Sequence, residues 1–172
     1  MRISTAGRYG LRIMLDIALH SQDENVPRMR VSERQHVSSD YVAQLTRRLT
    51  QAGLLVTQKG PGGGYQLGRQ PQHIRVGEIF HALEGPVALA PCLIDDADYD
   101  CAGSVDCVTR MVWIKLAYRI DEFLDGMTLQ DLVNMRAELL INMEKTKKQK
   151  TILADDKVHN QESISSSESS NK

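Results

Sequence analysis

The sequence predicts a mainly α-helical fold with one small β-hairpin. Three observations predict it. Apolar residues recur at helical spacing over residues 4–20, 39–52, 76–83 and 108–125. Leu54-Leu55-Val56 and Tyr65-Gln66-Leu67 flank Gly62-Gly63-Gly64, which reads as strand, tight turn, strand directly behind a helix. A short polar helix, a two-residue break at His36-Val37 and a Ser-led helix read as a helix-turn-helix. Together these form a winged helix-turn-helix.

In chain order, Ser4 or Thr5 caps the first helix, which is apolar over much of its circumference and so should be largely buried. Arg2, Arg8 and Arg12 charge its start and read as a solvated face. Ser21 to Pro27 is a polar connector. The short helix spans about Arg28 to Gln35. The turn after it needs the left-handed region, which His36 tolerates better than most residues. The next helix runs from about Ser39 to Ala52, capped by Ser38 or Ser39, with Asp40 in its first turn, where the helix dipole favours a negative charge. Tyr41, Val42, Leu45, Leu49 and Ala52 form its expected buried stripe, and Gly53 ends it. Ser39, Asp40, Ala43, Gln44, Arg47 and Arg48 lie off that stripe. Val76–Leu83 is a short helix with Val76, Ile79, Phe80 and Leu83 inward, stopped by Gly85-Pro86. Val108–Asp125 is a longer helix with Trp113, Leu116, Ile120 and Phe123/Leu124 as its stripe. Thr128 to Asp131 reads as a variant capping box opening a last amphipathic helix. These two helices have little local core, so dimerisation is the expected solution. Residues 161–172 hold six serines and one aliphatic residue, and a disordered tail without function is expected.

The expected organisation is therefore a winged helix-turn-helix over 1–83, a cysteine-bearing loop over 84–107, dimerisation helices over 108–148 and a tail over 149–172. No apolar run approaches a membrane span, and the N-terminus lacks signal-peptide features, which points to the cytoplasm. The net charge of −1 conceals a segregation. Residues 1–83 carry eleven Lys/Arg against six Asp/Glu, which suits a polyanion such as double-stranded DNA. In a helix-turn-helix the start of the second helix reaches base edges, and phosphates are neutralised by nearby cations. The candidate DNA-binding residues are Ser38, Ser39, Asp40, Tyr41, Gln44 and Arg47, with Lys59, Gly60, Gly62, Gly63 and Gly64 on the wing.

Residues 84–107 carry no Lys/Arg, six acids and all three cysteines of the chain. An odd cysteine count argues against a disulfide framework. Cys92, Cys101 and Cys107 lack any CxxC pair, so a zinc ribbon is a poor match. Three thiols in a short acidic loop still form a soft ligand set, suited to an iron–sulfur cluster, zinc or copper(I). A bound centre would offset the mutual repulsion of thiolates and aspartates. Three unrelated buried or redox-passive cysteines are the alternative.

At these residues the chain resembles the IscR/NsrR group of iron–sulfur regulators, dimeric bacterial winged-helix transcription factors that are usually repressors. The resemblance covers about residues 1–140. It is densest in MRIST-GRYGLR at Met1–Arg12, SERQ-VS at Ser32–Ser38, KGPGGGYQLGR at Lys59–Arg69, VGEIFHALEGP at Val76–Pro86, the cysteines, VTRMVW at Val108–Trp113 and TLQDLV at Thr128–Val133. It implies that the Ser38–Ala52 helix reads the major groove and that the wing reaches the minor groove. It further implies that Cys92, Cys101 and Cys107 hold a cluster, with 2Fe–2S placed ahead of 4Fe–4S. The Val108–Asp125 helix would build a homodimer, and the iron–sulfur assembly machinery would donate the cluster. Cluster state would then alter DNA binding in response to iron–sulfur supply, iron, oxidants or nitric oxide.

Three departures stand out. Arg110 occupies the place of a ligand histidine, and residues 1–12 contain no acid. The fourth ligand is therefore open among Asp95, Asp96, Asp98, Asp100, Asp106, His81, water and a small thiol. The gap of eight residues between the first two cysteines is long for the group. Ala43 stands where the reading helix carries an acid in relatives, so base preference should differ. The leading expectation is a cluster-sensing transcriptional regulator of iron–sulfur assembly or stress genes. The second is a regulator of the same fold with a zinc or thiol switch and no cluster. An iron–sulfur carrier or redox enzyme is the third class. No catalytic Ser/His/Asp set, HExxH or P-loop is present, so no enzyme is expected.

Overall fold

A computed structural model of the protein describes residues 3–21, 24–94 and 106–147. Its helices are α1 (Thr5–His20), α2 (Arg28–Gln35), α3 (Ser39–Gln51), α4 (Val76–Glu84) and α5 (Val108–Asp125). Residues 129–147 are also helical. Strands β1 (Leu55–Gln58) and β2 (Gly64–Leu67) form an antiparallel hairpin between α3 and α4, in the register Leu55↔Leu67 to Gln58↔Gly64. Short 3-10 turns lie at Pro71–His73 and Pro91–Leu93. The mainly helical fold with one hairpin is therefore as the sequence predicts. The chain forms two compact units, Met1–Val133 and Asn134–Lys172.

The first unit is built around α1. Ser4 caps that helix, its hydroxyl accepting the Ala6 and Gly7 N–H groups at 3.0 and 3.3 Å. Ile13, Met14 and Ile17 are fully buried against Val31 of α2, Val42, Leu45 and Leu49 of α3, and Ile79 and Leu83 of α4. Full burial of each such side chain contributes about 1.5–3 kcal/mol. α1 meets α4 closely because Gly7 and Gly10 present no side chain there. A Cβ at Gly10 would collide with Leu83 Cδ1. Leu129 closes the bottom of the core, its N–H donating to Ile74 O at 2.8 Å. The capping box before it forms as expected. Asp131 accepts the Thr128 N–H at 2.8 Å, and Thr128 Oγ1 accepts the Asp131 N–H at 3.2 Å.

Two expected stripes differ in detail. On α3, Ala52 is exposed, and Thr46 takes the buried place, its hydroxyl donating to Val42 O at 2.8 Å. That bond removes the cost of burying a hydroxyl, so a polar residue sits on the core face. On α5, only Ala117 is fully buried, while Ile120 and Leu124 are half-buried. Trp113, Leu116 and Phe123, expected inward, are 41, 44 and 67% exposed. The side of this helix toward α4 mixes Ala117, Ile120 and Leu124 with polar contacts, and Trp113, Leu116 and Phe123 lie off it. His81 bonds Asp121 at 2.9 Å, an Arg75 Nη donates to the Asp125 carbonyl, and Gly77 makes room for the Asp125 carboxylate. In the second unit, helical residues 134–147 expose Met135, Leu139, Leu140, Ile141 and Met143.

Candidate nucleic-acid interface and thiol centre

α2 ends because His36 adopts φ 54, ψ 48, the left-handed conformation the turn requires. The Ser32 hydroxyl donates to Val37 O at 2.6 Å, closing the turn. Ser38 then caps α3, accepting the Tyr41 N–H at 3.2 Å. With Val42, Leu45, Thr46 and Leu49 buried, the opposite side of α3 presents Ser38, Asp40, Gln44, Arg47 and Arg48 exposed and Ser39 and Tyr41 half-buried. Of the expected reading residues, Ser38, Asp40, Gln44 and Arg47 are thus accessible, Ser39 is half-buried and Tyr41 packs against the core.

The hairpin stands beside that helix. The Thr50 and Thr57 hydroxyls meet at 3.1 Å, and Ala43, Thr46, Arg47, Thr57 and Tyr65 line a shallow groove between helix and hairpin. Gly60 and Gly62 hold φ 97 and φ 73, where side chains are disfavoured. Gly63 and Gly64 are required for a different reason. A Cβ on either would run into one of the chain's own carbonyls, Gln58 O or Val26 O. Lys59 is exposed at the tip. Among the described residues, Arg47, Arg48 and Lys59 enter no ion pair, so their charges are available to a polyanion.

Two buried or braced features supporting this surface carry no clear pattern in the sequence. Asp16 is 2% exposed within α1 and accepts from Arg34 and Gln35 at the end of α2. Gln35 in turn accepts Arg12 Nε at 3.0 Å. Arg8 and Arg12 both lie over the Tyr9 ring, 5.2 and 5.0 Å from its centroid, and Tyr9 meets Tyr41 edge to face at 6.0 Å. α1 is thereby tied to the turn and to the start of α3. The one available signal is Asp16, the single acid of α1, set between the apolar Leu15 and Ile17. The second feature is Asn25, which reaches the wing and has no signal in sequence.

Of the cysteines, Cys92 and Cys107 are described and Cys101 lies outside the described residues. Cys107 is the N-cap of α5, and Cys92 lies in the 3-10 turn packed against that helix. Both are half-buried free thiols. The Cys107 thiol titrates below its ordinary range. The Thr109 hydroxyl, 3.1 Å away, is the largest cause, followed by the Arg110 backbone N–H. These donors favour the thiolate form of Cys107. Of the candidate fourth ligands, His81 is engaged by Asp121, Asp106 is exposed, and Asp95, Asp96, Asp98 and Asp100 lie outside the described residues. No described group of three or more His, Cys, Asp or Glu gathers as a metal site. No helix of the described residues is long and apolar enough to cross a membrane.

Residues 3–135 match the Rrf2 family, described as iron-dependent transcriptional regulators. The chain is 44% identical over 133 residues to the HTH-type transcriptional regulator IscR of Photobacterium profundum, covering 77% of this chain and 76% of that one. It is 42% identical over 134 residues to IscR of Yersinia enterocolitica, covering 78% and 80%. Among solved structures it is similar to T. potens IscR, with TM-score 0.65 and 35% identity over 81% of this chain and 90% of that one. It is also similar to CymR, the global cysteine regulator of B. subtilis, with TM-score 0.63 and 33% identity over 78% and 98%. On the family match and these identities, the chain belongs to the Rrf2 family of DNA-binding, non-enzymatic transcriptional regulators.

Proposed function

We propose that this regulator senses iron–sulfur status through a cluster held by Cys92, Cys101 and Cys107, and represses iron–sulfur assembly or stress genes accordingly. One observation carries the reading: Cys107, its thiol biased to thiolate, caps the helix against which the Cys92 turn packs. Soft thiolates on adjoining elements suit an iron–sulfur centre, and 2Fe–2S is the form proposed. When bound, the cluster would supply redox chemistry and a charge able to bias the DNA-competent form.

α3 would enter the major groove through Ser38, Ser39, Asp40, Tyr41, Gln44 and Arg47. The wing from Lys59 to Gly64 would follow the minor groove. The exposed apolar residues of α5 would be covered by a second copy, giving the two half-sites of a dimeric reader. The 1–83, 84–107 and 108–148 segments would then be reader, sensor and dimerisation element of a cytoplasmic protein loaded by the iron–sulfur assembly machinery. The other reading keeps the fold and replaces the cluster with zinc or a thiol switch. The similarity to a global cysteine regulator is the observation behind it.

Anaerobic purification, followed by an absorption spectrum with iron and acid-labile sulfide counts, tests the proposal. Visible charge-transfer bands with matching iron and sulfide support it. A protein that stays colourless after anaerobic reconstitution sinks it, and zinc content and thiol counts then test the other reading.

A further inference from the structure

The wing has a brace outside its own hairpin. Asn25 lies in the connector before α2, next to Val26, which exchanges two backbone hydrogen bonds of 2.9 Å with Tyr65 of β2. The Asn25 amide donates to Gln58 Oε1 at 2.7 Å and to the Gly62 carbonyl at 3.1 Å. Gln58 ends β1 and Gly62 lies in the turn, so one amide grips both sides of the tip. The Gly62 carbonyl can only accept, so the amide nitrogen must face it. Both Asn25 N–H groups are then used on the wing.

This brace acts where the chain is softest. A hairpin of four-residue strands is marginal alone, and a tip with Gly60 and Gly62 at positive φ has the freest backbone available. The only hydrogen bond closing the tip within the turn itself, among those described, is Gly63 N–H to Gly60 O at 2.9 Å. Gly62, exposed and without a side chain, has its carbonyl direction set from outside the hairpin by Asn25.

We propose that Asn25 is a positioning residue for DNA binding, its amide presetting the Gly62 peptide and Gln58 so that the wing tip is ordered before it meets the groove. The inference rests on the reading that the wing enters DNA. A preset tip loses little conformational freedom on binding, and a loosened one must lose that freedom at the moment of association.

The test uses the full chain and a duplex that the wild-type protein selects from a random-sequence pool. Asn25→Ala should weaken binding about tenfold, leave the Tm of the free protein unchanged, and speed amide exchange at Gly63 and Gly64. In a Lys59→Ala background the same change should cost far less, because the tip has already lost its contact. Undiminished, additive losses would mean that Asn25 touches DNA itself, and overturn the proposal. So would unchanged affinity, or a fall in Tm that accounts for the loss. If Lys59→Ala alone has no effect, the wing reading fails and takes this inference with it. If Lys59→Ala weakens binding and Asn25→Ala does not, this inference alone fails.

Discussion

Asp16 and Arg34 meet as a bidentate pair across α1 and α2. Arg34 Nε donates to Oδ1 at 2.8 Å and an Nη to Oδ2 at 2.7 Å. Gln35 adds a third donor to the same carboxylate at 3.0 Å. The Asp16 side chain is 2% exposed and Arg34 32%, so the carboxylate is the desolvated member. The hydrogen bond to Asp16 also holds the Arg34 guanidinium above its ordinary pKa. Arg34→Met leaves the buried carboxylate with the neutral Gln35 donor and with His20 Nδ1 at 3.8 Å. It should cost about 2–3 kcal/mol, somewhat less than a fully buried pair because Arg34 is partly solvated. Urea unfolding checks this, and a cost below about 0.5 kcal/mol, the usual size of a surface change, would contradict it.

His36 sits at φ 54 between the two helices of the reading motif. Glycine adopts that conformation freely, and a β-branched residue does so only under strain. His36→Gly should be neutral or stabilising, and His36→Val should cost about 1–2 kcal/mol. Equal stability of the two variants in a denaturant titration would show that the turn relaxes out of the left-handed region.

Gly10 faces Leu83 with no room for a methyl group. Gly10→Ala gains helix propensity of about 1 kcal/mol, but must displace Leu83 from a closed core. A net loss of about 1–2 kcal/mol is expected. Pairing it with Leu83→Ala should give less than additive destabilisation, measured as a double-mutant cycle. Strict additivity would place the strain elsewhere.

Asp131 titrates below the usual carboxylate range because the Thr128 N–H and then its hydroxyl donate to it. Its folded pKa is therefore depressed. The stability it lends is complete above the unfolded value, about 3.9, and is lost as pH falls through the lower folded value. Asp131→Asn should lower stability at neutral pH and flatten its fall below about pH 4. If the acid limb of the stability curve is the same in both proteins, the cap does not titrate as described.

The helical periods, the capping serines and the glycine turn make the reading motif visible in the sequence, since each depends on neighbours within a few residues. Ser4, Ser38, His36 and the Thr128–Asp131 box all act locally and stand where the pattern places them. The stripes are less legible. Periodicity shows that α5 has an apolar side without saying which residues meet the core, and the side toward α4 is that of Ala117 and Asp121, which leaves Trp113 and Phe123 exposed. Thr46 gives no such signal because its hydroxyl is satisfied by its own helix, which makes a polar residue behave as an apolar one.

By itself, then, the sequence determined the mainly helical architecture, the position of the helix-turn-helix and wing, and the resemblance to the IscR/NsrR group. These follow from short-range backbone preferences and from motifs continuous in the chain. Only the tertiary structure decided how that surface is held. Asp16 meets Arg34 across 18 positions, Asn25 meets Gly62 across 37, and Glu84 receives the Gly7 N–H at 2.8 Å across 77. Such partners are chosen by the packing of α1 against α2, the wing and α4, and a buried charge or a glycine tip finds its partner only once those elements have closed together.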